Sequence, residues 1–231
     1  MMLLAWAGLP LGALAQQAPP PRVPDTMEAR VAACTGCHGA AGRGVENVYF
    51  PRLAGKPAGY LHHQLLNFRD GRRQYPLMTY LVEHLSDDYL MEAARYFAGQ
   101  PPTVLPPRPP DAAPRPLEQG RRLVREGDPV RGIPACVACH GARLTGVQPF
   151  IPGLLGLPRD YLNAQFGAWR NGVRRAHAPD CMADITRRLA PDDIAAITAW
   201  LAAQPLPADA APQAAIARPL PLACGSAPED R

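Results

Sequence analysis

The sequence predicts an all-α protein built from two homologous units in tandem, on three observations. Within the 231 residues, ACTGCHG at 33–39 returns as ACVACHG at 135–141, and the likeness runs well past these letters. Between the copies, eight of the seventeen residues from 100 to 116 are proline. Inside each copy the apolar residues recur at helical spacing, and no stretch alternates convincingly as a strand would.

The elements follow in chain order. Residues 1–15, MMLLAWAGLPLGALA, are uncharged and mostly apolar. They end in Ala13-Leu14-Ala15, an A-x-A pattern that suits cleavage before Gln16. The run is too short to span and stay in a bilayer. It lacks the usual positive opening, so either the start lies upstream or the run is an uncleaved anchor. A cleaved export signal is the expectation.

Unit one covers 16–100. A short helix from Thr26 to Ala33 should lead into its cysteines. Positions 60, 61, 64, 65 and 68 share a helical face. A last helix starts at the cap Ser86, with Asp87 and Asp88 favouring its dipole, and carries Leu90, Ala94 and Phe97. The prolines of 101–116 fix φ and remove amide donors, which predicts an extended, semi-rigid connector without helix. Unit two, 117–205, repeats the plan. A helix from Leu117 to Arg125 joins through Gly127-Asp128-Pro129, positions 161, 162, 165, 166 and 169 form a face, and Pro191 opens a last helix with Ile194, Ile197 and Leu201. Residues 206–231 read as a proline-rich tail, draped on the surface or without fixed structure.

The chemistry lies in the repeated letters. Cys34, Cys37 and His38, and Cys136, Cys139 and His140, each spell C-x-x-C-H, the attachment run of c-type haem. Two thiols three positions apart reach the two vinyl groups on one porphyrin edge, and the next imidazole binds the iron. A zinc site would have to combine both halves and leave two spare histidines, and a redox dithiol would want a preceding strand. Two covalent haem c groups are therefore expected. They would also supply the apolar slab that units this small need for a core.

The sixth ligand decides between electron carrier and reactive iron. Met78 and Met182 take matched places after the Gly71-Arg72-Arg73 and Gly172-Val173-Arg174 turns, each seven residues before a leucine. A loop there can carry a thioether over the ring, and His/Met ligation raises the potential. Flexible core methionines are the plainer alternative, and the matched positions favour ligation. His62, His63, His84 and His177 are expected as surface or supporting groups, and Met91 as core. Cys181 and Cys224 remain. In an oxidising compartment they should pair and pin the tail beside the second haem, with a Cys181 thiolate on iron as the rival. The net charge of +4 is roughly cancelled by four propionates and does not argue for nucleic acid. Arg52, Arg73 and Arg174 are placed either at the propionates or on a solvated surface. Lys56, alone beside 23 arginines, is put down to codon usage and given no function.

Over residues 25 to 204 the chain resembles the cytochrome c4 family. The two CxxCHG runs, the P-x-L-x-G segments at 51 and 152, the YL-x-x-Q-[LF] segments at 60 and 161, the G-x-R turns and a methionine before each last helix carry the resemblance. It implies two class I cytochrome c domains with adjacent haems at their interface. It places haem attachment on Cys34, Cys37, Cys136 and Cys139, and axial pairs on His38 with Met78 and His140 with Met182. It also implies single-electron transfer among respiratory partners, from a dehydrogenase or a cytochrome bc-type donor to a terminal oxidase. The proline-rich linker, the tail with its cysteine, and the bulky Leu77-Met78-Thr79-Tyr80 depart from the pattern. The expectation is a periplasmic carrier, touching membrane only through partners or an uncleaved N-terminus. A cytochrome subunit of a dehydrogenase complex comes second, and a dihaem peroxidase or thiosulfate-oxidising cytochrome third.

Overall fold

The structure, a computed structural model, describes residues 24–45, 49–103, 109, 112–215 and 219–227. The export signal expected at 1–15 and much of the connector between the units lie outside the described residues.

Unit one starts with α1 (Met27–Arg30) and α2 (Ala32–His38), so the helix that leads into the cysteines also contains them. Thr26 caps α1, its Oγ1 accepting from the Ala29 amide at 3.2 Å. After α3 (Ala58–Arg69) comes α4 (Pro76–Val82), and α5 (Asp87–Ala98) closes the unit. The expected cap of α5 is in place, with Ser86 Oγ accepting from the Tyr89 amide at 3.3 Å. Unit two runs through α6 (Pro114–Arg125), α7 (Cys136–His140), α8 (Arg159–Arg170), α9 (Cys181–Arg188) and α10 (Pro191–Ala202).

Three expectations need correction. Helix α6 starts at Pro114, inside the stretch expected to be extended. Pro114 and Pro116 sit in its first turn, where the missing amide hydrogen has no helical partner to lose. A two-stranded sheet also exists, β1 (Gly146–Val147) with β2 (Ile151–Pro152), antiparallel. Two residues per strand are too few to leave an alternation in the sequence. The described part of the tail is docked. Leu206 and Ala210 join the buried core of unit two, and the Gln213 amide donates to the Gly146 carbonyl at 2.9 Å.

The core of unit two is built where α6 crosses α10, around Leu123, Val124, Ile197 and Leu201. That crossing is close because residue 120 is glycine. A Cβ there would stand 2.2 Å from the Ala196 carbonyl oxygen. Unit one packs Val31, Leu61, Ala94 and Phe97 together, with Phe68, Val82 and Leu90 beside them.

The units meet through their repeated turns, in a pseudo-two-fold arrangement. Arg73 and Arg174 form an antiparallel bridge. The Gln74 amide donates to the Val173 carbonyl at 2.8 Å, and the Arg175 amide to the Arg72 carbonyl at 2.7 Å. Gly59 and Tyr60 of α3 press on the loop before β2, where the Tyr60 amide donates to the Pro149 carbonyl at 3.1 Å.

Candidate haem sites

Each CxxCH run ends its helix on a buried histidine. His38 is the last residue of α2 and His140 the last of α7, each 8 % exposed. The chain then doubles back under the ring. Gly39, at φ +78°, permits this, and a Cβ there would meet the Gly44 carbonyl oxygen at 2.2 Å. The same demand at Gly141 explains why both copies read C-x-x-C-H-G.

The returning segment supplies the decisive contact. His38 Nδ1 lies 2.8 Å from the Pro51 carbonyl oxygen, and His140 Nδ1 lies 2.7 Å from that of Pro152. A carbonyl can only accept, so Nδ1 carries the proton in each ring and Nε2 keeps its lone pair. Burial lowers both imidazole pKa values, partly opposed by these hydrogen bonds, which keeps the rings neutral. A neutral imidazole oriented by a carbonyl on its far nitrogen is the usual arrangement of a metal-binding histidine.

Each histidine opens on a largely apolar cavity. That of unit one is about 660 Å³ and is lined by Cys34, Cys37, His38 and Met78. That of unit two is about 170 Å³ and is lined by Cys136, Cys139, His140 and Met182. Burial raises the thiol pKa values of Cys34 and Cys136, the latter to about 12. The tertiary fold therefore brings all eight residues expected from the sequence into two matched sets. The methionines sit on short helices rather than loops, Met78 in α4 and Met182 at the start of α9. In unit two Asp180 fixes that start, its Oδ1 accepting from the Ala183 amide at 3.0 Å and its Oδ2 from the Ala176 amide at 2.8 Å.

Cys181 and Cys224 form a disulfide, as expected, and it carries the tail to the wall of the second cavity, where Leu220 and Leu222 also lie. Cys181 is thereby spent as a thiolate ligand. Of the two roles expected of His63, surface group or supporting group, the structure favours the second. It lines the second cavity, stacked on Phe150 with ring centroids 4.9 Å apart, and burial lowers its pKa to about 4 together with His177 and His62. His63 lies on α3, and the crossing of the units, invisible in the repeat, turns it inward.

Between the cavities lies a hydrogen-bonded ring with the same two-fold plan. Gln64 Oε1 accepts from Arg73 at 3.0 Å and from Arg174 at 3.1 Å, and Gln165 Oε1 accepts from Arg174 at 2.6 Å and from Arg73 at 2.8 Å. Each guanidinium also covers a ring at matching repeat positions, Arg73 over Phe68 at 4.5 Å and Arg174 over Trp169 at 3.9 Å. Sequence reasoning missed one member of this region, Lys56, which is buried and lines both cavities. The available signals were its being the chain's single lysine and its breaking the repeat, where unit two has Leu157.

The donors fit a c-type haem in each unit: paired thiols in a short helix that ends on the histidine, an oriented neutral imidazole, and a thioether on the same apolar cavity. Two such sites in tandem helical units define a class of paired class I cytochromes c. Comparison with known proteins agrees. The cytochrome c family model matches residues 28–94. The thiosulfate dehydrogenase electron acceptor of Thiomonas intermedia is 39 % identical over 85 % of this chain and 88 % of its own. Cytochrome c4 of Pseudomonas aeruginosa is 36 % identical over 64 % of this chain and 71 % of its own. Among solved structures, reduced cytochrome c4 from Pseudomonas stutzeri superposes with a TM-score of 0.64 at 30 % identity, over 77 % of this chain and 96 % of that one. A thiosulfate dehydrogenase from Marichromatium purpuratum superposes at 0.65 with 36 % identity over 76 % of this chain, which spans only 37 % of that one. The chain belongs to the cytochrome c4 family of dihaem class I cytochromes c, proteins that transfer electrons through covalently bound haem c.

Proposed function

We propose that the chain carries two haem c groups and passes single electrons between redox proteins outside the cytoplasm. Cys34 and Cys37 would anchor one group, with His38 and Met78 as the residues that would hold its iron. Cys136 and Cys139 would anchor the other, with His140 and Met182. The haem supplies the one-electron chemistry. The chain holds each imidazole in one tautomer, offers a thioether on the same cavity, and keeps the surroundings apolar. An apolar pocket disfavours the extra charge of ferric iron.

The observation that carries this reading is the matched pair of histidines, each with Nδ1 on a proline carbonyl and each sharing its cavity with a methionine. No general acid or base is needed for such a task, and a carrier is proposed rather than an enzyme. Exposed Leu77, Tyr80 and Leu81 beside Met78 supply an apolar surface on which a redox partner can dock. No helix among the described residues is long and apolar enough to cross a membrane.

A second reading makes the chain the electron acceptor of a thiosulfate dehydrogenase. It is favoured by the relative of that name, which matches along most of both chains. The haem chemistry would be the same, and only the donor would differ.

The test is an optical redox titration of the holo-protein with Met78→Ala and Met182→Ala variants. Each should lose the methionine-to-ferric-iron absorption at one haem and let carbon monoxide bind there when reduced. Wild-type protein with fewer than two covalent haems, or with a haem open to carbon monoxide, would defeat the reading. Co-purification with a catalytic subunit that reduces the cytochrome from thiosulfate would select the second.

A further inference from the structure

Lys56 stands where the two cavities meet. It follows Gly55 in the segment that turns back under His38, and it is 6 % exposed. It lines the cavity of unit one and that of unit two. Its charged neighbours are Arg52, Arg73 and Arg174, all cations, and burial together with these charges holds its ammonium pKa well below the usual value. Arg52 is depressed as well, to about 10, by burial. Among the described residues no ion pair joins any of these four to a carboxylate. Arg73 and Arg174 donate to Gln64 and Gln165 and, at longer range, to the Tyr161 and Tyr60 hydroxyls, and Arg52 donates to the carbonyls of Ala54 and Leu155, all of them neutral acceptors.

Gathering cations in an apolar interior without an anion is costly, because each loses its hydration and repels the others, so the cluster calls for anionic groups. If the reading above holds, each haem brings two carboxylates. Lys56 is placed to meet both groups, since it lines the cavity that holds His38 and the one that holds His140. Unit two has Leu157 at the matching position and no ammonium of its own there.

We propose that Lys56 is a carboxylate-binding residue shared by the two haems, one ammonium that meets a propionate at each site and sets both reduction potentials together. Reduction of a bound haem would leave its site one charge more negative. A fixed cation beside both sites therefore favours the reduced form at each.

The inference rests on the dihaem reading, and the experiment separates the two. Full-length holo-protein with Lys56→Met, Lys56→Gln and Lys56→Arg is assayed for covalent haem per chain and then titrated optically. Lys56→Met removes a buried charge in favour of an apolar side chain of similar length, and Lys56→Gln is the polar alternative should that variant fold poorly. Two haems should remain. At the ambient potential that half-reduces each wild-type centre, the ratio of reduced to oxidised haem should fall about tenfold at both centres, a shift of about 59 mV for one electron. Lys56→Arg should restore most of it. A shift at one centre alone, no shift at either, or no rescue by arginine would overturn the proposal while leaving the dihaem reading intact. Fewer than two haems in the wild-type chain would overturn both.

Discussion

Gly120→Ala should destabilise unit two even though alanine is the better helix former. Alanine in place of an interior helical glycine gains about 0.8–1 kcal/mol from propensity alone. At this position the new Cβ would lie 2.2 Å from the Ala196 carbonyl oxygen, 2.6 Å from its carbon and 2.9 Å from Trp200 Cβ. A close carbon–oxygen contact is about 3.3 Å, so α6 and α10 must part by about 1 Å. The obstacle is backbone and cannot rotate away, which puts the overpacking cost at the upper end of about 1–3 kcal/mol. The net expectation is a loss of about 2 kcal/mol. The function is touched as well, because Leu123, Ile197 and Leu201 from this crossing line the cavity of His140. The assay is guanidinium denaturation of the holo-protein, followed by far-ultraviolet circular dichroism and by the absorption that the proposed methionine–iron bonds would give. Gly36→Ala is the control. It lies in a helix, a Cβ there meets nothing within 4 Å, and the matching residue of unit two is already Ala138. It should be neutral or slightly stabilising. A Gly120→Ala protein as stable as wild type would refute the claim that the two helices touch backbone to backbone.

Three further outcomes are expected. Converting Cys181 and Cys224 together to serine opens a link spanning 43 residues, worth about 4 kcal/mol on the chain-entropy account, and should lower the denaturation midpoint and expose residues 219–227 to protease; an unchanged midpoint and cleavage pattern would show the tail to be held by packing alone. Asp180→Ala removes the acceptor for two amides at the start of α9 and should cost about 1–2 kcal/mol, seen as loss, at a lower temperature than in wild type, of the absorption that the proposed Met182–iron bond would give, with Asp180→Asn in between; equal temperatures would separate the cap from the proposed ligand. Asp193 is buried, which would raise its pKa, but hydrogen bonds from Arg131, the Ala190 amide and Gln119 outweigh this and leave the carboxyl below its ordinary value. Its folded pKa is thus lower than its unfolded one of about 3.9, so its stabilisation is complete above that pH and disappears as pH falls through the folded value. Asp193→Asn should be less stable at pH 7 and should show a flatter acid limb than wild type, and parallel pH profiles would contradict the assignment.

Much of this protein was legible before any coordinates. The C-x-x-C-H runs, the matched methionines, the helical faces at 60–68 and 161–169 and the spare cysteine pair are local or repeated patterns, and covalent chemistry and helix periodicity leave them little freedom. The start of the tail was misjudged because its composition suggests no core, yet Leu206 and Ala210 are buried by contacts distant in sequence, while its far end is pinned by Cys224 as expected. The first turn of α6 was misjudged because proline is excluded from helix interiors but not from their first positions.

The sequence by itself determined the class of cofactor and the eight residues proposed to hold it, since thioether spacing and the adjacent imidazole are set by neighbours in the chain. Only the tertiary structure decided which nitrogen of each histidine faces its cavity, that His63 of one unit lines the cavity of the other, and that Lys56 lies between both. Those facts depend on a carbonyl twelve or thirteen residues away and on how two homologous units pack across an interface, and no local pattern of residues encodes a distance between segments that meet only when the chain folds.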